Sequence, residues 1–351
     1  MDLRSNRTDR NALKSSQRKL VNEIAALRAK CMKRQVPEAT TRIFCSSCRK
    51  EATGILKSAE DPQGVFESFR SNGSVRALVM LKPGIAYSFL KLKGNHWQFK
   101  ILCDWEDPDA LAWTRTMLAK HRTLLKSHEF AGFMDAGLWS LLPDLKRCGI
   151  SIEAVSLIGR TKLAIKKCPT SIVWPSGYFV RRVQKKDIRE LLSLMRTEFR
   201  RNPQFGWFVS HPQFLKMARD GFLKDCKRKR PFEFVVIVNR KIVGHFGAHV
   251  TNPHGFGYKS ASIGIGFKRE HQGRGLSRLC YQEAVKVFSR ERVKFFMGVT
   301  AQPAVMKIGA ELGRELISFN MSSRKPYFTN DCFLKYPIWP KGIKVRPKYL
   351  K

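Results

Sequence analysis

The chain has 351 residues, and 43% of them are hydrophobic, which is enough to fill the cores of two domains of ordinary size. Its 66 lysines and arginines exceed its 28 aspartates and glutamates, so the formal net charge at pH 7 is +38. This surplus exceeds what solubility requires and indicates an anionic partner, whereas the lack of a long apolar run argues against a membrane-spanning protein.

Residues 1–50 have the composition of a basic, partly helical arm. Leu20, Ile24 and Leu27 are spaced for one face of a helix, but the residues around them are basic and polar. A helix this short gains most of its stability by docking. The sequence therefore predicts a short helix in a mobile arm.

The chain contains nine cysteines, which bear on metal binding and on location. Cys45 and Cys48 have the spacing of zinc ligands, but no second such pair follows, and Cys31 is the only further candidate nearby. We therefore predict no metal site. An odd number of scattered cysteines, without a signal-peptide pattern, predicts a cytoplasmic protein.

Residues 51–168 show an alternation of strands and helices that is typical of an α/β domain. The predicted strands are 77–81, 86–92, 97–103, 130–134 and 153–158, and the predicted helices are 109–126 and 138–147. The turn at 104–109 contains four carboxylates, which suit a helix N-terminus as caps but repel a phosphate. We expect a structural or substrate-shaping role for this half.

Residues 169–177 form a predicted linker to a second α/β domain at 178–338, which precedes a basic tail at 339–351. The predicted strands of this domain are 178–183, 232–238, 242–250, 260–267, 293–299, 315–320 and 328–336. Its predicted helices are 188–199, 211–228, 276–288 and 303–312. A turn at 239–241 predicts a hairpin between the second and third strands.

The segment from Phe267 to Ser277 joins the fourth of these strands to the third helix through Gly273 and Gly275. Backbone N–H groups in such a turn, beside the positive end of a helix, hold a pyrophosphate. A Cβ atom at either glycine would crowd the phosphate or strain the backbone. The spacing fits neither a P-loop nor the Gly-x-Gly-x-x-Gly dinucleotide motif, so the alternatives are another phosphate-bearing cofactor or an ordinary tight turn.

The order of elements over residues 175–338 resembles the GCN5-related N-acetyltransferase (GNAT) superfamily. The phosphate signature of that family is Gln/Arg-x-x-Gly-x-Gly/Ala, and residues 270–275 fit it except that Glu270 stands in the first position. Residues 302–313 look like the family's Asn-x-x-Ala helix. The resemblance implies an α/β (α+β) fold with a mixed, mostly antiparallel central sheet flanked by helices, and residues 51–168 look like a degenerate second copy.

The same resemblance implies acetyl-CoA, or another acyl-CoA, as co-substrate in a cleft where the fourth and fifth strands splay apart. It also implies direct transfer of the acyl group to an amine. The residues that it assigns to coenzyme binding are Ile265, Phe267, Gln272, Gly273, Arg274, Gly275, Leu276, Ser277 and Gln302.

Direct transfer to an amine requires a base for the amine proton and an acid for the leaving thiolate. The family's acid is commonly a tyrosine at the position of Gly309, so the candidate acids here are Tyr327 and a hydroxyl or thiol elsewhere. His249 is our preferred base because an imidazole titrates near neutral pH. It shares a strand face with His245, and Glu233 is a further candidate. The structural alternatives are a packed tyrosine and surface histidines.

Two other classes of function are also compatible with the sequence. A protein that keeps the fold but only binds acyl-CoA would explain Gly309, and a nucleic-acid-associated structural protein would explain the charge. A nucleic acid, a tRNA or a ribosome is the expected anionic partner, although the sequence contains no base-reading motif.

Overall fold

The computed structural model describes residues 15–38, 42–84, 96–198, 211–251 and 258–323. The helices of the first half are α1 (Ser15–Gln35), α2 (Arg42–Ala59), α3 (Pro108–Lys120), α4 (Arg122–Ser127), α5 (Leu142–Arg147) and α6 (Thr161–Lys166). Its strands are β1 (Val65–Ser71), β2 (Ser74–Pro83), β3 (His96–Cys103), β4 (Glu129–Asp135) and β5 (Ser151–Arg160).

The second half contains six described strands and four α-helices. The strands are β6 (Tyr178–Arg182), β7 (Glu233–Val238), β8 (Lys241–Thr251), β9 (Ser260–Phe267), β10 (Phe295–Thr300) and β11 (Glu315–Ser322). The helices are α7 (Ile188–Glu198), α8 (Pro212–Cys226), α9 (Leu276–Arg290) and α10 (Pro303–Glu311). The predicted strands 86–92 and 328–336 and the tail 339–351 lie outside the described residues.

The hairpin between β7 and β8 forms as the sequence predicts. Asn239 and Arg240 have φ angles of 48° and 62°, the left-handed pair that a two-residue hairpin turn requires.

The eleven strands of the described residues form one sheet, in the order β1-β2-β3-β4-β11-β5-β10-β9-β8-β7-β6. β3 pairs with β4 and β9 pairs with β10 in parallel, whereas the other neighbouring pairs are antiparallel. The prediction of a mixed, mostly antiparallel sheet flanked by helices is confirmed.

The two halves repeat one order of elements and exchange one strand each. In both, a helix pair precedes three antiparallel strands, and a helical crossover then leads to a strand parallel to the third. β11 lies between β4 and β5 of the first half, and β5 lies between β11 and β10 of the second. The last described strand of each half therefore pairs only with strands of the other.

Helix α9 positions the glycine loop because its apolar face is anchored in the core. Cys280, Ala284 and Phe288 are fully buried, at the spacing of one helical face, and pack with Phe246 of β8 and Phe296 of β10. Burying an apolar side chain of phenylalanine size stabilises the fold by about 1.5–3 kcal/mol. The N-terminus of α9 is thus fixed relative to the sheet.

The structure corrects the prediction that residues 1–50 form a mobile arm. α1 runs for 21 residues, and its Ile24 and Cys31 are fully buried in a cluster that includes Leu78 of β2 and Leu102 of β3. α1 and α2 take the place that α7 and α8 have in the second half, so the first copy begins before residue 50, which lies inside α2. The sequence pattern did not show that α1 is buried, because α1 carries many basic residues. Some of these pair with acids of the sheet, as Arg28 does with Asp135 at 2.9 Å.

Because the halves exchange strands, we expect residues 1–168 and 169–351 to misfold when each is produced alone. The second fragment would leave β10 and β11 without β5 between them, and exposed strand edges promote aggregation. Co-production of the two fragments should restore a soluble one-to-one complex, measurable by size-exclusion chromatography. A cooperative thermal transition from either fragment alone would contradict this expectation.

Candidate active site

Two glycines shape the loop between β9 and α9. Gly273 and Gly275 have φ angles of 75° and 76°, in the left-handed region that favours glycine, and Gly275 is the N-cap residue of α9. A Cβ atom at either position would meet no atom within 4 Å. Both glycines therefore face open space, and the backbone angle alone requires them.

The loop leaves several main-chain donors without an internal acceptor. Within the described residues, the N–H groups of residues 273–277 donate no hydrogen bond, whereas the N–H of Gln272 donates to the carbonyl of Arg269 at 3.1 Å. The Gln272 side chain is also used, since its Nε2 donates to the Phe267 carbonyl at 2.9 Å and ties the loop to the end of β9. The unpaired donors lie together at the positive end of α9, where an anion is stabilised.

A cleft of about 750 Å³ opens over these donors. It is bordered by the end of β9, the glycine loop and the first turns of α9 and α10. Its lining includes all but one of the nine predicted coenzyme residues, namely Ile265, Phe267, Gln272, Gly273, Gly275, Leu276, Ser277 and Gln302. This volume is typical of sites for small molecules and cofactors.

Arg274 is the predicted coenzyme residue that does not line the cleft. Its guanidinium donates to the Tyr178 hydroxyl at 3.4 Å, and that hydroxyl lies 2.7 Å from Nδ1 of His271. The sequence reasoning instead missed three cations on the cleft wall, Arg269, Arg278 and Lys307. Their spacing follows no motif, because they come from three separate elements.

The cleft exists because β9 and β10 separate. They pair over only three residues, ending at Ser262 with Met297, although β9 continues to Phe267 and β10 to Thr300. From Ile263 onward β9 therefore has an edge that β10 does not cover. Such an edge offers backbone hydrogen-bonding groups to an extended ligand.

Two histidines converge on one carboxylate on the α8 side of the sheet. Glu233 Oε2 lies 2.7 Å from His245 Nε2, and Glu233 Oε1 lies 3.2 Å from His249 Nδ1. Glu233 and His245 are buried, whereas the His249 side chain is 49% exposed. The predicted base candidates thus form one cluster, with His249 at its solvent-facing end.

Gly247 permits this cluster to form. A Cβ atom there would lie 2.6 Å from both Glu233 Oε2 and His249 Nε2. Across the ladder, Gly247 pairs with Gly264 of β9, where an added Cβ would meet nothing. The cluster therefore borders open space on the strand that also forms the cleft.

Comparison with known proteins identifies the domain that carries this geometry. Residues 189–305 match the sequence pattern of the acetyltransferase (GNAT) family. These residues form a GNAT domain. The match extends from α7 into α10, so it contains the glycine loop and the Glu233 cluster. No curated protein matches the chain with statistical significance.

One solved structure shows the same fold over most of the chain, and two others are reported with it. A GCN5-related N-acetyltransferase from Sphaerobacter thermophilus superposes with a TM-score of 0.50 and 16% identity, covering 87% of this chain and 93% of that one. A tandem GNAT protein from the clavulanic acid biosynthesis pathway gives a TM-score of 0.45 and 15% identity, covering 88% and 96%. An acetyltransferase of the GNAT family from Colwellia psychrerythraea gives 0.43 and 10%, covering 79% and 95%.

Gly309 stands at the position where the resemblance to the GNAT family predicts a tyrosine. A Cβ atom at Gly309 would lie 2.9 Å from Leu157 Cδ1, so this position faces the core and not the cleft. The neighbouring space holds Arg314, which is 1% exposed and donates to the carbonyls of Leu157 at 3.0 Å and Gly298 at 3.3 Å. A buried guanidinium thus takes space beside the usual tyrosine position.

The equivalent turn of the first half is closed to phosphate. The Asp107 carboxylate caps α3 by accepting from the amides of Asp109 and Ala110, both at 3.1 Å. Burial raises the pKa of the nearby Asp104 carboxyl, but hydrogen bonds from Lys30 and Arg34 outweigh it and lower the pKa below its usual value. These helix donors are occupied by a carboxylate, as the sequence predicts.

Two further features of the described residues bear on the predicted site. No group of three or more histidine, cysteine, aspartate or glutamate side chains among them is placed to hold a metal ion. No helix in that part of the chain combines the length and apolarity needed to cross a bilayer. Tyr327 lies outside the described residues.

Proposed function

We propose that the GNAT domain binds acetyl-CoA and transfers its acetyl group directly to an amine. The observation that carries this proposal is the row of unpaired amides at 273–277, held open by two left-handed glycines at the mouth of a cofactor-sized cleft. Amides at a helix N-terminus are the usual seat of a pyrophosphate.

The residues of the cleft suit the other parts of the coenzyme as well. Arg269, Arg278 and Lys307 would add positive charge around the phosphates, which matters because each phosphate carries negative charge into a partly enclosed site. The uncovered edge of β9 from Ile263 to Phe267 would pair with the amide groups of an extended pantetheine chain. Acetyl-CoA supplies an activated acyl thioester.

The Glu233 cluster is our candidate for deprotonating the amine. As the amine nitrogen bonds to the acyl carbon and the carbon–sulfur bond breaks, the nitrogen must lose a proton. His249 can accept that proton directly or through water, and the Glu233 carboxylate stabilises the resulting imidazolium at 3.2 Å. Strands β7 and β9 are separated only by β8, so the cluster lies about 10 Å from the open edge of β9.

Tyr327 remains our candidate for protonating the leaving thiolate, since Gly309 carries no side chain. Gly309 also favours one alternative, a protein that binds acyl-CoA without turning it over. The two are distinguished by release of free coenzyme thiol during incubation with acetyl-CoA and a panel of amines. Tight coenzyme binding without thiol release would favour the non-catalytic protein.

We expect acetyl-CoA to raise the thermal unfolding midpoint. Ligand at one hundred times its dissociation constant stabilises the folded state by about 2.7 kcal/mol, which corresponds to a shift of several degrees. Differential scanning fluorimetry measures the shift, and acetyl-pantetheine, which lacks the pyrophosphate, serves as the control. An equal shift with acetyl-pantetheine would contradict phosphate recognition by the loop.

A further inference from the structure

Two basic segments meet where β6 and α8 end, and we call this surface the basic corner. The Cys226 thiol at the end of α8 donates to the carbonyl of Val183, just after β6, at 3.6 Å, which holds the segments together. The basic corner consists of seven exposed side chains, Arg182, Lys185, Lys186, Lys227, Arg228, Lys229 and Arg230.

The acids nearest to the basic corner are buried and engaged in local structure. Asp187 is 5% exposed and accepts from Arg181 and from the Gln184 amide. Asp225 is also 5% exposed and accepts from the amides of Phe232 and Glu233. These two carboxylates therefore add little negative charge to the surface that reaches solvent.

Ion pairing leaves most of the charge of the basic corner available. Arg230 pairs with Glu291 at 3.2 Å, and Arg228 lies 3.6 Å from Asp225. Across the described ranges, no carboxylate lies within 4.0 Å of the four lysines, Lys185, Lys186, Lys227 and Lys229. Like charges crowded on a surface repel one another, and a bound polyanion reduces this repulsion.

An exposed aromatic ring accompanies this charge. Phe179 is 48% exposed on β6, the edge strand of the sheet, and precedes Arg182 by about 10 Å of strand. Proteins that bind single-stranded nucleic acids combine a basic surface along the backbone with aromatic rings on which bases stack. A membrane surface or an acidic protein would not require an isolated ring at the edge of a sheet.

We propose that the basic corner binds the phosphate backbone of a single-stranded nucleic acid, with Phe179 stacking on one base. This activity is separate from the proposed acetyl transfer. The two sites are nevertheless close together, because Asp225 beside the basic corner accepts a hydrogen bond from the amide of Glu233, a member of the candidate base cluster, at 3.0 Å. A strand bound here would approach the open side of the Glu233 cluster.

Fluorescence anisotropy with labelled oligo(U) RNA and oligo(dT) DNA of about 16 nucleotides tests the proposal, with a duplex of equal length for comparison. Each backbone contact to a single strand contributes about −0.7 to the slope of log affinity against log salt. The variant K185Q/K186Q/K227Q/K229Q should therefore flatten the slope by about 3 and weaken binding at least tenfold. Phe179→Ala should weaken single-strand binding by about fivefold or more and leave duplex binding unchanged.

The matched control is K19Q/K50Q/K126Q/K162Q, which removes the same charge from exposed lysines of the first half. The proposal requires this control to bind within about threefold of the original protein. Equal losses in both quadruple variants, tighter binding to the duplex, or no effect of Phe179→Ala would overturn it. Acetyl-CoA affinity is measured in parallel and should not change in any variant, so a failure here is distinct from a failure of the proposed transferase activity.

Discussion

Replacing Gly275 by glutamate should weaken acetyl-CoA binding by at least about a hundredfold. Gly275 has a φ of 76°, and a non-glycine residue in this region costs about 1–2 kcal/mol. The new carboxylate would also face the pyrophosphate, and juxtaposed like charges cost several kcal/mol. Because each 1.4 kcal/mol is a factor of ten, the two effects together exceed a hundredfold. Isothermal titration calorimetry measures the affinity.

Gly221→Glu is the matched control for this variant. Gly221 is an exposed residue of α8 with an ordinary φ, and an added Cβ would meet no atom within 4 Å. It introduces the same charge away from the cleft, so acetyl-CoA affinity should stay within about twofold of the original value. An unchanged affinity in Gly275→Glu itself would remove the basis for the pyrophosphate seat.

Replacing Glu233 by glutamine should lower kcat by about a hundredfold or more while acetyl-CoA affinity is retained. The substitution keeps the size of the side chain but removes the charge that would stabilise a protonated His249, 3.2 Å away. Steady-state kinetics and calorimetry separate the two quantities.

Glu190→Gln provides the control for loss of a carboxylate in the same domain. Glu190 is on α7, where it accepts from the Ile242 amide at 3.2 Å and pairs with Lys268 at 3.6 Å, and it does not line the cleft. The kcat of this control should match that of the original protein. If Glu233→Gln retained full kcat, the cluster would have only a structural role.

The glycine loop was predictable from sequence because its determinants are local. The alternation in 260–267 fixes a strand, the spacing from Leu276 to Phe288 fixes a helix, and two glycines between them fix the turn. Each of these signals spans fewer than about 15 residues, the length over which periodicity is reliable. The cap by Asp107 in the first half was predictable for the same reason.

The features that the sequence did not predict depend on contacts between distant segments. Pairing of β11 with β4 and β5 joins residues far apart in the chain, and a strand carries no pattern that specifies its neighbours. Arg314 follows a glycine at the end of a helix, where a basic residue is ordinarily exposed, yet it is 1% exposed here. Its burial depends on carbonyls of β5 and β10 that only the folded sheet brings together.

The helix predicted at 109–126 is interrupted for a comparable reason. The chain forms α3 and α4 with His121 between them, and His121 Nε2 lies 2.7 Å from Glu67 Oε1. Glu67 belongs to β1, a strand that the sequence reasoning did not identify. The break therefore occurs where the helix meets a long-range partner.

Because β5 and β11 are interleaved, the second half depends structurally on the first. This holds even though Asp107 occupies the turn of the first half that would otherwise bind phosphate. β5 forms the flank of β10, and its Leu157 packs against the helix that carries Gly309. A lineage that deleted the first half would lose the strand that supports β10 and α10, and α10 borders the cleft. Natural selection for the chemistry of one copy thus preserves the other, and inactivating mutations are expected in residues 151–160 even though they touch no substrate.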